Sequence, residues 1–317
     1  MIDISTIHNR KVVIIGSGNV GASIAYALTI RNLAREIILI DKDRQRAIGE
    51  ALDIQHGIPY MGVSSVRTGD YTDCENCDLI IITAGRNRKV GENRLDLISD
   101  NVAIVEDVVS KMKPYYNRGA ILMVANPVDI LTYKCAKLMG LPDGRVFGTG
   151  NILDSSRLIR IVADYVGLNT EVVKGNIVGE HGDHQIPIWS RLSIAGVPVE
   201  EYCVDVGLSW NEDIREEMAK TVCGLGAEII KDKGKTHYGI ATCVCFIAEA
   251  ILNQRLTIAP VTSILNGEYG IKDVSLSVPS IIGAGGVERR LEERWTKEEY
   301  AKFKETAASL KEFLKDI

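Results

Sequence analysis

The sequence predicts an α/β protein with a doubly wound parallel sheet, followed by a second domain of α+β type. Three observations lead to this prediction. Short, continuous runs of β-branched and other apolar residues alternate with helical patterns through the first half of the chain. A glycine-rich turn joins the first apolar run to the first helical pattern. After about residue 150, the alternation gives way to longer helices and hairpin-like strands.

The first half contains apolar runs that are typical of strands buried on both faces. In chain order, these strands are predicted at Lys11–Ile15, Glu36–Ile40, Asp78–Thr83, Ala120–Ala125 and Arg145–Phe147. Helical patterns between them are predicted at Ala22–Ile30, Arg44–His56 and Asp96–Lys113. Repetition of strand and helix in this way favours parallel strands joined by right-handed crossovers.

The second half is predicted to contain longer elements. Helices are predicted at Asp154–Val166, Asn211–Lys231 and His237–Asn253, and strands at Leu256–Leu265 and Val274–Ile282. A last helix starts near Thr296, because Thr296 and Glu299 have the spacing of a capping box. The change of pattern predicts two domains, residues 1–149 and 150–317.

Composition and charge exclude several classes of protein. The 317 residues include 37 basic and 42 acidic side chains, so the formal net charge is −5. This balance provides no broad attraction for nucleic acid or for an anionic membrane surface. Apolar runs stay shorter than the roughly 18 residues of a membrane span, and the N-terminal segment lacks an apolar signal core. We therefore expect a cytoplasmic protein that acts on a small molecule.

The cysteines and histidines do not predict a redox or metal site. Cys74 and Cys77 have CxxC spacing, but they precede a strand, whereas redox-active thiols of this type open a helix. No second cysteine pair stands near them to complete a zinc site. His181 and His184 lack a further ligand cluster in the sequence. We expect reduced structural thiols and no metal.

The glycine-rich turn, Gly16–Gly21, has the pattern GxGxxG between a strand and a helix. Gly16 permits a tight turn, Gly18 allows a pyrophosphate to approach the backbone, and Gly21 allows the helix to pack on the strand. Asp41 follows the second strand, twenty residues after Gly21, where a carboxylate can accept hydrogen bonds from ribose hydroxyls and repel a 2′-phosphate. These features predict a Rossmann-type domain that binds NAD in preference to NADP.

Residues suited to acid–base chemistry occur in the second half. His181 lies in the segment GEHGD, and histidine is the side chain best suited to proton transfer near neutral pH. Asp154 and Arg157 are three residues apart and share a helix face. One can orient the histidine while the other binds a substrate carboxylate through parallel hydrogen bonds. A polar segment with three arginines, residues 83–94, starts at a strand end, although its composition alone is typical of a solvated loop.

Taken together, these segments closely resemble the lactate/malate dehydrogenase family over almost the whole chain. The matching stretches are GSGNVG (16–21), Asp41, DIQHG (53–57), ITAG (82–85), GENRLDL (91–97), ANPVDILTY (125–133), ILDSSR (152–157), GEHGD (179–183) and LSVPSIIG (276–283). The resemblance implies reversible hydride transfer between NAD and the C2 atom of a small 2-hydroxy acid. It also implies a homotetramer, with a dimer as the other possibility.

The resemblance further implies roles for individual residues. His181 would donate and accept the proton, with Asp154 as its partner. Arg157 would bind the C1 carboxylate of the substrate, and Arg94, on a closing loop, would polarise the reacting carbonyl or hydroxyl group. Asn126 and Thr236 would contribute further substrate contacts. The implied cofactor contacts are Gly16, Gly18, Asn19, Val20, Gly21, Asp41, Thr83, Ala84, Gly85, Val124 and Asn126.

Arg88 directs the choice of substrate. It matches the family's specificity position, which is glutamine in lactate dehydrogenases and arginine in malate dehydrogenases. An arginine can pair with the second carboxylate of oxaloacetate, whereas pyruvate would leave it buried without a partner, which is costly. The sequence therefore predicts an L-malate dehydrogenase of the tricarboxylic acid cycle, on a chain that otherwise resembles the lactate branch. The alternatives are an L-lactate or other 2-hydroxyacid dehydrogenase, and a catalytically silent NAD-binding sensor.

Overall fold

A computed structural model of the protein describes residues 10–86 and 94–316. The chain forms two compact units, and each contains residues from both halves of the sequence. The first unit comprises Met1–Gly148, His237–Thr257 and Ile281–Arg289, and the second comprises Thr149–Thr236, Ile258–Ser280 and Arg290–Ile317. The mixed α/β architecture confirms the fold class that the sequence predicts.

The first unit contains a parallel sheet with strand order β3-β2-β1-β4-β5-β6. The strands are β1 (Lys11–Ile15), β2 (Glu36–Ile40), β3 (Ser65–Thr68), β4 (Leu79–Ile82), β5 (Ala120–Met123) and β6 (Val146–Gly148). The five predicted strands are confirmed, with ends within two residues of the prediction. Strand β3 was not predicted because it lies at the sheet edge, where only Val66 is fully buried and the sequence has no continuous apolar run.

The helices α1 to α4 connect these strands, as the alternating pattern predicts. They are α1 (Asn19–Ile30), α2 (Arg44–Gly57), α3 (Arg94–Met112) and α4 (Val128–Met139). Of these four helices, α4 was not predicted from the sequence. Further along the chain lie α5 (Ile152–Val166), α6 (Val199–Asp205), α7 (Glu212–Lys233), α8 (Tyr238–Leu252) and α9 (Lys297–Phe313). Of these five, α8 belongs to the first unit and the others belong to the second.

The centre of the parallel sheet contains the point at which the strand order changes direction. Strands β1 and β4 are neighbours, and Ile15 lies opposite Ile82 at their carboxyl ends. From β1 the chain builds the sheet outward to one side through β2 and β3, and from β4 it builds to the other side. Open α/β sheets bind ligands at such a switch point. The residues that follow, Gly16 and Thr83, are therefore placed side by side.

The second unit packs helices against short antiparallel strands. Its strands include β7 (Val173–Lys174), β8 (Ile177–Gly179), β9 (Gln185–Pro187), β10 (Ser193–Ile194) and β11 (Val197–Pro198). The long strands β12 (Thr257–Asn266) and β13 (Lys272–Gly283) are neighbours, and β14 (Gly286–Arg290) pairs with β13. Strand β8 lies between β13 and β9 and is antiparallel to both. Leu158 and Val162 of α5 share a buried cluster with Ile177 of β8, so α5 and β8 are held together.

The predicted capping box at the start of α9 is confirmed. The hydroxyl of Thr296 accepts a hydrogen bond from the Glu299 amide at 3.2 Å, and the Glu299 carboxylate accepts one from the Thr296 amide at 2.8 Å. Glu299 also accepts a hydrogen bond from the amide of Ser190 at 3.0 Å. The same carboxylate therefore caps the helix and ties it to the turn after β9. Within the described residues, no helix combines the length and the apolar composition that a membrane crossing requires.

Candidate active site

The glycine turn after β1 has the close contacts that its sequence pattern predicts. Gly16 has a φ of +104°, and a Cβ atom there would lie 2.7 Å from the backbone nitrogen of Ala84. At Gly21, a Cβ atom would lie only 1.9 Å from the carbonyl oxygen of Gly16. Both positions therefore require glycine, the first for its backbone conformation and the second for the close packing of α1.

The amino end of α1 fits the pyrophosphate of a dinucleotide. The residue before the helix is Gly18, and no side chain caps the first amides of the helix. A Cβ atom built on Gly18 would meet nothing within 4 Å, so contacts within the protein alone do not require glycine at this position. Uncapped amides and the positive end of the helix dipole favour an anion at this position.

Asp41 is held beside the glycine turn by Ser17. One carboxylate oxygen of Asp41 accepts hydrogen bonds from the amide of Ser17 at 2.6 Å and from its hydroxyl at 3.1 Å. The other oxygen accepts a hydrogen bond from the amide of Asp43 at 2.9 Å. A carboxylate has about four acceptor positions, so these contacts leave capacity for ribose hydroxyls. Sequence reasoning missed the role of Ser17, whose only signal is its place between two glycines.

The remaining predicted cofactor residues of the first unit lie around the same turn. The hydroxyl of Thr83 donates to the carbonyl oxygen of Gly16 at 2.7 Å, which joins the ends of β1 and β4. Asn126 follows β5, and its side-chain oxygen accepts a hydrogen bond from the amide of Val128 at 3.2 Å. Asn19 and Val20 begin α1, Ala84 and Gly85 follow β4, and Val124 follows β5.

Asn101, on α3, connects two of these strand ends and was not singled out from the sequence. Its side chain is fully buried. The carboxamide oxygen accepts a hydrogen bond from the Arg86 amide at 2.9 Å. The carboxamide nitrogen donates to the carbonyl oxygens of Arg86 at 3.2 Å and Asn126 at 2.8 Å.

In the second unit, two of the predicted catalytic residues and the arginine predicted to bind the substrate carboxylate form one cluster. Asp154 lies on α5, and one of its carboxylate oxygens is 2.6 Å from Nδ1 of His181. Its other oxygen accepts a hydrogen bond from the guanidinium of Arg157 at 2.9 Å. The side chain of Asp154 is 3% exposed, compared with 25% for His181 and 14% for Arg157. The carboxylate is thus enclosed, while the two groups that it orients reach the surface.

The Asp154 contact also determines the tautomer of the histidine. An ionised carboxylate only accepts hydrogen bonds, so Nδ1 of His181 carries the proton in this pair. Nε2 then lies on the opposite side of the ring from Asp154, without a proton in neutral imidazole. This is the arrangement of a base whose second nitrogen exchanges protons with a ligand.

Asn151 holds the two segments that carry this cluster. It immediately precedes α5, and its side chain is fully buried. Its carboxamide nitrogen donates to the carbonyl oxygen of Gly179 at 3.3 Å, at the end of β8. Its backbone amide donates to the hydroxyl of Ser277 on β13 at 3.1 Å. The start of α5 is therefore fastened to the strand that leads to His181, a contact that sequence reasoning missed.

The structure does not place every predicted site residue in these clusters. Arg88 lies outside the described residues. Arg94 is the first residue of α3, and its side chain also lies outside the described part. Thr236 is half-buried in the segment between α7 and α8, at the last position of a stretch assigned to the second unit.

Comparisons with known proteins identify the family. Residues 10–148 match the family described as lactate/malate dehydrogenase, NAD binding domain, and residues 152–317 match its alpha/beta C-terminal domain. An L-lactate dehydrogenase of Thermoanaerobacterium saccharolyticum is 43% identical over 307 residues, which cover 97% of this chain and 99% of the relative. The structure of a minor L-lactate dehydrogenase from Enterococcus mundtii superimposes with a TM-score of 0.94 at 38% identity, covering 98% of this chain and 99% of that one.

The prediction that malate is the substrate is wrong. The full-length relatives described above are L-lactate dehydrogenases. The expected place in the tricarboxylic acid cycle depended on malate and is therefore not supported either. The prediction depended on Arg88 being enclosed opposite a second carboxylate. The penalty for an unpaired guanidinium applies only to a buried one, and the long side chain of an arginine allows its charge to remain in water. One residue type at one position therefore did not determine the substrate.

The broader expectations, an NAD-binding domain and an oxidoreductase for small hydroxy acids, agree with the geometry. The glycine turn, the uncapped helix and the anchored Asp41 suit a dinucleotide, and the matching domain binds NAD. The protein is an oxidoreductase that uses NAD and acts on small hydroxy acids. With both family domains matched over residues 10–148 and 152–317, the chain belongs to the lactate/malate dehydrogenase family.

Proposed function

We propose that this protein is an NAD-dependent L-lactate dehydrogenase that interconverts L-lactate and pyruvate. The observation that carries the proposal is the carboxylate of Asp154, which contacts a histidine through one oxygen and an arginine through the other. A proton-transfer group and a carboxylate-binding group are thereby oriented by one buried charge. The identity of 43% to an L-lactate dehydrogenase supports the choice of substrate.

In the proposed mechanism, His181 exchanges a proton with the C2 oxygen of the substrate through Nε2. During lactate oxidation, the neutral imidazole takes the hydroxyl proton, and during pyruvate reduction the imidazolium returns it. Asp154 stabilises the imidazolium because a negative charge lies 2.6 Å from Nδ1. When bound, NAD supplies the acceptor for the hydride that leaves C2, or the donor in reverse.

Arg157 is proposed to bind the C1 carboxylate. A guanidinium has five N–H donors in a planar fork, and the contact at 2.9 Å with Asp154 uses one of its terminal nitrogens. The remaining donors suit parallel hydrogen bonds to a carboxylate. Such a local cation is needed because the chain as a whole carries a net charge of −5, which does not attract an anionic substrate.

The remaining assignments complete the proposal. Arg94 polarises the C2 oxygen, and Asn126 and Thr236 contact the substrate. The glycine turn, Asp41 and the residues after β4 and β5 hold NAD. Residues 1–149 form the cofactor domain and residues 150–317 the substrate domain. The enzyme works in the cytoplasm as a homotetramer. The lactate proposal assigns Arg88 no contact with a second substrate carboxylate, because that contact was part of the malate prediction.

Steady-state NADH oxidation with pyruvate and oxaloacetate, measured side by side, tests the proposal. We expect the wild type to prefer pyruvate by at least about tenfold in kcat/KM. The variant Arg88→Gln should keep that order, because the lactate proposal assigns Arg88 no substrate carboxylate. Binding of NADH should be measured by fluorescence in the same samples.

Two outcomes would contradict the proposal. A preference of the wild type for oxaloacetate, reversed by Arg88→Gln, would show that Arg88 binds a second carboxylate after all. NADH binding without reduction of either 2-oxo acid would show a silent NAD-binding protein.

A further inference from the structure

The side chain of Asn101 lies at the carboxyl edge of the sheet, between the chain segments that follow β4 and β5. Among the residues that the structure describes, its hydrogen bonds reach none that the sequence analysis assigned to proton transfer or carboxylate binding. It makes three hydrogen bonds to backbone atoms of Arg86 and Asn126, with donor–acceptor distances of 2.9, 3.2 and 2.8 Å. We propose that Asn101 is a positioning residue that sets the backbone geometry of Asn126 and of the end of β4. The inference rests on the proposed function, in which Asn126 contacts the substrate.

The backbone groups around Asn101 require a carboxamide side chain at this position. The Arg86 amide needs an acceptor, whereas the carbonyl oxygens of Arg86 and Asn126 need donors. A carboxamide offers one acceptor oxygen and two N–H donors. Because Asn101 is fully buried, water does not replace these contacts readily, and a side chain without the matching donors leaves carbonyl oxygens unpaired.

The position of Asn126 is restrained from two sides. Its backbone carbonyl accepts the hydrogen bond from Asn101, and its side-chain oxygen accepts the one from the Val128 amide at the start of α4. The Asn126 carboxamide is therefore directed by α3 through the main chain and by α4 through the side chain. Loss of the Asn101 contact frees the main-chain restraint and leaves the Val128 contact in place.

The same side chain approaches the turn after β4 closely. A Cβ atom on Gly85 would lie 3.5 Å from the carboxamide oxygen of Asn101 and 3.3 Å from Ala125. Gly85, Arg86 and Asn126 thus converge on Asn101. A displacement of this side chain would also displace the backbone of the segments after β4 and β5, because close-packed interiors transmit small displacements.

The variant Asn101→Asp tests the inference. It retains an acceptor for the Arg86 amide but sets a carboxylate against two carbonyl oxygens. We expect kcat with the preferred 2-oxo acid to fall by about 10- to 100-fold, while the Kd for NADH changes by less than about threefold. Hydrogen exchange in segments 83–86 and 124–128 of the unliganded protein should become faster. Asn101→Ser, which is uncharged and too short to span these contacts, provides a second variant if the first folds poorly.

Ser64→Ala is the matched control in the same unit. The hydroxyl of Ser64 is buried and donates to the carbonyl oxygen of Ala34 at 2.7 Å. This contact lies just before β3, at the opposite edge of the sheet. The control should lower the melting temperature without changing kcat or the exchange of segments 83–86 and 124–128.

The outcomes separate the inference from the proposed function. Unchanged exchange in both Asn101 variants, or a kcat that falls no further than in Ser64→Ala, would overturn the positioning role. A preference of the wild type for oxaloacetate would refute only the proposed function, and the Asn101 variants would then be assayed with oxaloacetate. If the wild type reduced neither compound, the proposed function would fail. Hydrogen exchange would then decide on Asn101, and unchanged exchange of segments 83–86 and 124–128 in both variants would overturn its positioning role.

Discussion

At the scale of single residues, the site depends on one buried carboxylate with two partners. Asp154 directs His181 through one oxygen and Arg157 through the other. Because the side chain of Asp154 is only 3% exposed, solvent screens its charge weakly, and its negative charge favours a protonated imidazole and a fixed guanidinium. Under the proposed function, we therefore expect removal of this charge to affect proton transfer and substrate binding together.

The variants His181→Gln and Asp154→Asn test this arrangement. We expect each to lower kcat by about 10²- to 10⁴-fold, because the first removes the proposed acid–base group and the second favours the wrong tautomer of His181. Asp154→Asn should also raise the KM for pyruvate, since Arg157 loses its partner. The control is Asp164→Asn on the same helix, which breaks an exposed ion pair with Arg160 at 2.8 Å. Wild-type kinetics of Asp154→Asn would rule out the shared role of the carboxylate.

At the scale of elements, the start of β4 shows why a short motif has to be interpreted in its structural setting. Cys74 ends a 3₁₀ turn and Cys77 precedes β4. Both are free and fully buried. Burial raises the pKa of each thiol from 9.0 to about 12. Thiolate is the reactive form, so burial disfavours reaction at both cysteines, and the interpretation that they are structural stays a prediction.

Thiol titration checks this conclusion. At about pH 8, a water-soluble disulfide reagent should react quickly with Cys223, which is exposed, and slowly or not at all with Cys74 and Cys77. The variant Cys223→Ser should remove the fast phase, and all seven thiols should react after unfolding. Rapid modification of Cys74 or Cys77 in the native protein would contradict the structural interpretation.

The same burial predicts how stability changes at high pH. The folded-state pKa of Cys77 is raised by desolvation from 9.0 to about 12. The thiol therefore contributes stability below pH 9.0, and this contribution is lost as the pH rises towards about 12, because the unfolded chain loses its proton first. Cys77→Ala should make the melting temperature less sensitive to pH in this range.

At the scale of the whole molecule, the first unit exposes apolar side chains on two helices that pack together. Tyr26 and Ile30 of α1 are each 49% exposed, and Phe246 of α8 is 43% exposed. An ion pair between Arg31 and Glu249 joins the same helices at 2.5 Å. Exposed large apolar side chains on neighbouring helices are candidates for a surface that another subunit covers, in line with the proposed homotetramer.

Light scattering of the purified protein tests the assembly. We expect a mass of four chains for the wild type, and a smaller assembly for Ile30→Glu or Phe246→Glu, because a charge placed in an apolar interface lacks a partner. The matched control is Val204→Glu, at a position in α6 of the second unit that is 78% exposed. A monomeric wild type, or tetramers in both helix variants, would show that this surface is not an interface.

Much of the fold and part of the site were predictable because their signals are local. The central strands are continuous apolar runs, the glycine turn follows β1 directly, and Thr296 and Glu299 of the capping box are three residues apart. Strand β3 was missed because an edge strand needs no continuous apolar run. Malate was predicted because Arg88 was judged by residue type, without the surroundings that determine where its charge lies.

The family and the NAD-binding turn could be predicted from the residues alone, and the proton-transfer and carboxylate-binding residues stay predictions of the same kind. Three sets of contacts became visible only in the folded protein: Asp154 with both His181 and Arg157, Ser17 with Asp41, and Asn101 with Arg86 and Asn126. The physical reason is that most of these contacts join residues far apart in the chain. Residue periodicity reports which face of an element is buried, whereas such contacts depend on how separate elements pack.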